Sequence, residues 1–76
     1  MNAKRRLRLQ IVVEKLESLL EDIEDIQNEE QDALDNIPES LQETERAEHM
    51  QECIDNMDDA ISYINDSIDW LSEIAY

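Results

Sequence analysis

Residues 9–37 read LQIVVEKLESLLEDIEDIQNEEQDALDNI, and this stretch decides the fold. Its apolar side chains recur at alternating steps of three and four residues, the heptad spacing of a long amphipathic helix. Position a holds Leu9, Leu16 and Ile23, and position d holds Val12, Leu19 and Ile26, with Ala33 and Ile37 beyond them and Glu30 as the one interruption. Such a stripe cannot bury itself, so a second helix must cover it.

The second half of the chain supplies a matching stripe. Its members are Ala47, Met50, Ile54, Met57, Ile61, Ile64, Ile68, Leu71 and Ala75. Pro38 separates the halves and disfavours helix at the preceding residue. We therefore predict a single domain over 1–76, with helix 1 over about 4–34, a turn over 35–44 and helix 2 over about 45–75. Thr44 is the favoured N-cap of helix 2, and Ser40 is the alternative start.

These stripes predict an all-α antiparallel two-helix hairpin in which residue i faces roughly residue 80 − i. That register places Leu19 near Ile61 and Val12 near Ile68, and Leu41 would close the end at the turn. Val13, Leu20 and Leu34, at position e, widen the stripe of helix 1. Since a lone hairpin of this length is marginal, we expect it to dimerise into a four-helix bundle.

The same register predicts a favourable end-to-end contact. Helix 1 begins with basic residues, which oppose its dipole, and these would lie beside the carbonyl end of helix 2 and its acidic terminus. The residues concerned are Arg5, Arg6 and Arg8 on helix 1, and Glu73 and the terminal carboxylate of Tyr76 on helix 2.

Little in the sequence supports catalysis or a cofactor. Gly is absent, and there is one His and one Cys in the 76 residues. His49 and Cys53 are four residues apart, but no second His or Cys completes a zinc site. We expect no enzyme activity, no catalytic, metal or cofactor-binding residues, and no membrane span. The expected location is the cytoplasm of whichever cell makes the protein.

Charge is the strongest functional signal. Residues 16–76 hold twenty acids and a single base, Arg46, whereas residues 1–15 hold five bases and one acid. Twenty acids along about 45 Å of helix give one charge per roughly 2.3 Å, close to the roughly 1.7 Å spacing of duplex DNA. The candidate partner-binding acids are Glu17, Glu21, Glu24, Asp25, Glu48, Glu52, Asp55, Asp59, Asp66 and Asp69. They predict a basic protein partner, typically one that binds nucleic acid, and argue against direct binding of nucleic acid.

Two aromatic residues suggest apolar anchors for a partner. Tyr63 and Trp70 are seven residues apart at position c of helix 2, next to the small residues Ala60 and Ser67 at position g. Tyr and Trp are favoured at protein interfaces. The surface would serve either another protein or a second copy of the chain in a homodimer; partial burial within the hairpin is the alternative.

The segment Asn28–Gln42, NEEQDALDNIPESLQ, resembles the turn region of small, acidic, uncharacterised helical proteins of Gram-positive gut bacteria and their phages. The resemblance extends over roughly residues 16–72 and implies a mobile-element origin, without an established activity. By analogy with acidic phage proteins, we expect an inhibitor that occupies the basic nucleic-acid groove of a host defence or DNA-handling protein, for example a CRISPR nuclease. The alternative is a structural coiled-coil accessory or oligomerisation protein without nucleic-acid mimicry.

Overall fold

The computed structural model describes residues 1–76 and consists of two long helices with no strands. Helix α1 spans Ala3–Asp35, a 3₁₀ turn spans Glu39–Leu41, and helix α2 spans Glu45–Ala75. The helices pack against each other in a rod that measures 59 × 15 × 12 Å across its Cα atoms. The predicted all-α helical hairpin is confirmed.

Local side-chain chemistry explains where the helices begin. The Oδ1 atom of Asn2 accepts a hydrogen bond of 2.9 Å from the backbone N–H of Arg5, which caps α1. Thr44 caps α2: its Oγ1 accepts from the N–H of Ala47 at 3.4 Å and donates to the carbonyl of Leu41 at 2.8 Å. Pro38 has extended geometry, with φ −53° and ψ 140°, and separates the end of α1 from the 3₁₀ turn.

The centre of the rod is a thin apolar seam. Val13, Leu20 and Ile68 form its buried cluster. Four half-buried side chains pack around that cluster, namely Leu16, Ile61, Ile64 and Leu71. In α1 the seam is therefore built from positions a and e.

This arrangement corrects the predicted role of position d in α1. Val12, Leu19 and Ile26 were expected in the seam, but 43%, 56% and 54% of their surfaces are exposed. The physical reason is that one partner helix covers only two neighbouring apolar columns, and α1 carries three. With position e turned inward, Gln27 donates from Nε2 to the carbonyl of Ile54 at 3.2 Å and to Oδ1 of Asp58 at 2.7 Å.

Near the chain ends, Nε2 of Gln10 donates to the carbonyl of Ala75 at 2.8 Å. The hydrogen bond that satisfies this end of α2 thus comes from Gln10 rather than from the predicted arginines, and Arg5 is exposed. Leu41 does not close the turn end, since 51% of its surface is exposed.

The N-cap of α2 can be tested by comparing two hydroxyl deletions. Thr44→Ala should lower the free energy of unfolding by about 1 kcal/mol, because it removes the capping acceptor. Ser40→Ala is the matched control and should change it by less than about 0.5 kcal/mol. Urea unfolding followed by circular dichroism measures both. Equal losses would contradict Thr44 as the N-cap.

The position of the seam can be tested in the same assay with two leucines. Leu20→Ala should cost about 2 kcal/mol or more, since Leu20 is only 8% exposed and its removal leaves a cavity. Leu41→Ala should cost less than about 0.5 kcal/mol, because Leu41 already contacts solvent. A large loss at Leu41 together with a small one at Leu20 would show that the seam is elsewhere.

Candidate protein-binding surfaces

The acidic side chains of α2 are confined to one side of the helix. Between Ala47 and Tyr76 they occupy only heptad positions b, e and f, which together cover an arc of about 100° on a helical wheel. They are Glu48, Glu52, Asp55, Asp58, Asp59, Asp66, Asp69 and Glu73, and all are exposed. No basic residue lies among them. This arc is called the acidic face of α2 below.

The acids of α1 spread over a wider arc. Of the ten acids predicted to bind a partner, the four on α1 are Glu17, Glu21, Glu24 and Asp25, and the other six lie on α2. Glu24 is half-buried, whereas the other nine are exposed. The structure therefore makes nine of the ten carboxylates available to a partner, and those on α2 form the more continuous surface.

Acids and aromatic rings alternate along one line of α2. The line runs Asp59, Tyr63, Asp66, Trp70 and Glu73, in steps of four and three residues. Residues at these spacings are neighbours on a helix. All five are exposed, with Tyr63 at 71% and Trp70 at 65%. The aromatic rings stand at the border of the acidic face, so a partner could contact rings and carboxylates together.

A different surface runs along one flank of the seam. The hydrogen bond from Gln27 to Asp58 joins position e of α1 to position e of α2, so these positions share one flank. In an antiparallel pair, position d of α1 and position g of α2 must then share the opposite flank. That flank is called the uncharged flank below. It consists of Val12, Leu19, Ile26 and Ala33 on α1, and of Cys53, Ala60, Ser67 and Ile74 on α2.

The uncharged flank is apolar and incompletely covered. Leu19 and Ile26 are more than half exposed, and Ile74 is 46% exposed. Sequence reasoning found the part on α2, with its small residues, but placed the α1 part inside the seam. The presence of three apolar columns on α1, at positions a, d and e, was the signal that one of them had to remain outside a two-helix seam.

The few polar atoms on this side of α2 bond within their own helix. The hydroxyl of Ser67 donates to the carbonyl of Tyr63 at 2.9 Å. The Sγ of Cys53 lies 3.7 Å from Nε2 of His49. No group of three or more His, Cys, Asp and Glu side chains has the geometry to hold a metal ion. The flank is therefore suited to apolar contact rather than to ligation.

The arrangement of charged and apolar residues on the surface is the feature of the chain that bears on its function. Comparisons with protein-family models, with curated proteins and with solved structures gave no match. Neither helix contains a segment that is both long and apolar enough to span a lipid bilayer. The acidic face and the uncharged flank are the two surfaces of the chain that bear on its function.

The charge distribution predicts an unusual response of stability to salt. The acids of α2 lie side by side with no bases between them, so their mutual repulsion should destabilise the fold. Screening by salt should weaken this repulsion. Raising sodium chloride from about 0.05 M to about 0.5 M should raise Tm by about 5 °C. Chloride is preferred to sulfate, which also strengthens apolar burial. A falling Tm would show that attractive ion pairs dominate instead.

Proposed function

We propose that the protein is a non-catalytic binding protein whose acidic face of α2 occupies a basic surface that another protein uses for nucleic acid. The observation that carries this proposal is the exposed line of Asp59, Tyr63, Asp66, Trp70 and Glu73 on a helix with no base after Arg46. The carboxylates and aromatic rings of this line can bind Arg and Lys side chains, the residues that contact phosphates in nucleic-acid-binding proteins.

Each part of the line has a role in recognising cations. A guanidinium can stack on the ring of Tyr63 or Trp70 while its N–H groups bond to the carboxylate one turn away. Nucleic-acid sites offer the same pairing to arginine, with flat bases beside charged phosphates. Acids alone would attract any cation, whereas alternating rings and carboxylates select a surface that is rich in arginine.

The spacing of charge supports mimicry of a single strand better than of a duplex. The chain carries 21 acids along a rod of 59 Å, about one per 3 Å, and the acidic face of α2 alone carries eight between Glu48 and Glu73, about one per 5 Å. Phosphates follow one another at about 3.4 Å along one strand of DNA, and at about 1.7 Å of axis for both strands. The sequence-based estimate was denser because it used a shorter rod. The proposed target is thus a groove that binds a single strand or one backbone of a duplex.

The proposal can be tested by displacement of nucleic acid. A panel of purified basic DNA- and RNA-binding proteins, each loaded with a labelled single strand or duplex, is titrated with the protein. We expect loss of the label from at least one member, with an affinity that falls steeply as salt rises. Polylysine serves as the probe for charge alone, and it should bind more weakly than the displaced protein does.

Matched variants separate the acidic face from net charge. Asp59→Asn with Asp66→Asn removes two carboxylates from the acid–aromatic line and should weaken displacement about tenfold. Glu39→Gln with Glu43→Gln removes the same charge at the turn and should weaken it by less than about threefold. No displacement across the panel at low salt, or equal effects of the two variants, would refute the proposal.

A second candidate function is that of an oligomerisation module, and the exposed apolar residues of the uncharged flank favour it. A soluble helix that only contacts water has no need of Leu19 and Ile26 at seven-residue spacing on its surface. In this function the flank assembles copies of the chain into a four-helix bundle, and the acids serve solubility. Replacing Asp59 and Asp66 by Lys would then leave oligomerisation intact, whereas Leu19→Asp would abolish it.

A further inference from the structure

We infer that two copies of the chain associate through the uncharged flank as an antiparallel, twofold-symmetric dimer whose axis passes beside Leu19 of α1. The inference specifies the geometry of the oligomerisation function proposed above and does not require the acidic face to have a partner. It rests on three independent features of the hairpin: its small core, the order of charges on α1, and the neutral strip of α2.

The hairpin alone has too little core for its length. Only seven of its 76 residues are buried, and of these Val13 is the largest side chain that is fully enclosed. Chains of this size with a small core usually gain stability from disulfides, metals or oligomerisation. Cys53 has no partner in the chain, and no metal cluster is present. A second copy on the uncharged flank would cover the exposed side chains of Val12, Leu19 and Ile26.

The charges beside this apolar column specify an antiparallel orientation. Position g of α1, next to position d on the helix surface, holds Arg8, Lys15, Asp22 and Glu29 in that order. With Leu19 of the two copies in contact, antiparallel pairing places Arg8 beside Glu29 of the second copy and Lys15 beside its Asp22. Twofold symmetry repeats both pairs, which gives four attractive contacts. Parallel pairing would instead place like charges together.

The surface of α1 has a depression where the second copy would lie. A shallow depression of about 440 Å³ is lined by Met1, Leu9, Ile11 and Val12 and by the bases Arg5, Arg8 and Lys15. In the antiparallel arrangement the segment from Asp22 to Glu29 of the second copy lies over this depression. Its Ile26 would contact the apolar side chains, and its Asp22 and Glu29 would contact the bases.

Helix α2 has small side chains at the level of the same symmetry axis. Gln10 bonds to Ala75, and Gln27 bonds to Ile54 and Asp58, so Leu19, about midway between the glutamines, lies level with about residues 64–66. Ala60 and Ser67 at position g lie on either side of that level, and their small side chains permit close approach of a second α2. Position c beside them is also free of acids: it holds His49, Asn56, Tyr63 and Trp70.

The angles between the surfaces give a closed bundle. On a helical wheel, position d of α1 points about 80° away from the middle of the seam, and position g of α2 points about 90° away from it on the same flank. A copy docked there adds α1 to α1 and α2 to α2 at the corners of a square four-helix bundle. The acidic face of α2 points away from this contact, so the approach of two copies brings few carboxylates together.

Charge reversal on α1 tests orientation and surface together. Arg8→Glu with Lys15→Glu leaves four acids in the g column, and Asp22→Lys with Glu29→Lys leaves four bases. Each double variant should dimerise about 30-fold more weakly than the wild-type chain. An equimolar mixture of the two should form a heterodimer, and the chain that carries all four reversals should regain wild-type dimerisation. Sedimentation velocity at low salt measures the association, and circular dichroism verifies folding.

A control with the same change in net charge as Asp22→Lys with Glu29→Lys can be made on the outer side of α1. Glu17→Lys with Glu21→Lys should leave dimerisation within about threefold of wild type or strengthen it, since neither residue borders the uncharged flank. Leu19→Glu should give a monomer with unchanged helix content, because Leu19 is already 56% exposed in the single hairpin.

Disulfide trapping tests the position of the axis. In a Cys53→Ser background, Leu19→Cys should cross-link two chains under mild oxidation, because only residues near a twofold axis meet their own copies. Glu21→Cys in the same background should remain uncross-linked. A monomeric wild-type chain, dimers that ignore the charge reversals, or equal cross-linking at both positions would overturn the inference. Displacement of nucleic acid by a monomeric Leu19→Glu chain would support the acidic-face function independently.

Discussion

The rotation of α1 about its own axis, fixed by the packing of Val13 and Leu20 against Ile68, is the constraint on which the other features depend. Three apolar columns cannot all face one partner helix. Because positions a and e face α2, position d becomes surface, and with it three large aliphatic side chains. Burying such a side chain fully contributes about 1.5–3 kcal/mol. The hairpin therefore keeps a substantial part of its possible apolar stabilisation unused.

Charge segregation follows only in part from this packing. A two-helix seam requires apolar residues at its own inward positions and leaves all the others free to be charged. On α1 they are charged: Asp25 and Asp32 occupy position c, and Asp22 and Glu29 occupy position g. On α2 beyond Arg46, positions c and g carry no acid and no Lys or Arg, and His49 is their one imidazole, in a helix that is otherwise densely acidic. Since the hairpin does not demand this neutrality, a further contact is its simplest physical cause.

Much of the fold could be predicted from the sequence because its determinants are local. The heptad spacing, Pro38 and Thr44 suffice to predict two helices, the turn between them and the start of α2. The rotation and the register are not local. They follow from how volumes and hydrogen bonds add up across the seam, where Gln27 at position e bonds to α2. Polar Gln27 and Gln10 gave no reason, from sequence alone, to expect bonds across the seam.

The candidate surfaces, too, could be predicted only where local spacing determines them. Exposure of the acids follows from their heptad positions and could be read from spacing alone, whereas for Tyr63 and Trp70 the spacing allowed either exposure or partial burial. The exposed column on α1 could not, because Val12, Leu19 and Ile26 fit the seam equally well by pattern. Leu41 shows the same limitation at the turn, where an apolar residue between two helices suggests burial but no helix passes over it.

The carboxylates of the acidic face and the uncharged flank point in different directions, and this separation has an energetic consequence. A dimer carries twice the net charge of −15 of one chain, so association of two copies works against long-range repulsion. A basic partner on the acidic face of α2 would neutralise that charge without covering the uncharged flank. By linkage, whatever favours the dimer when the partner binds must also strengthen the partner's binding to the dimer. Charge that opposes self-association would in this way make assembly responsive to a cationic partner.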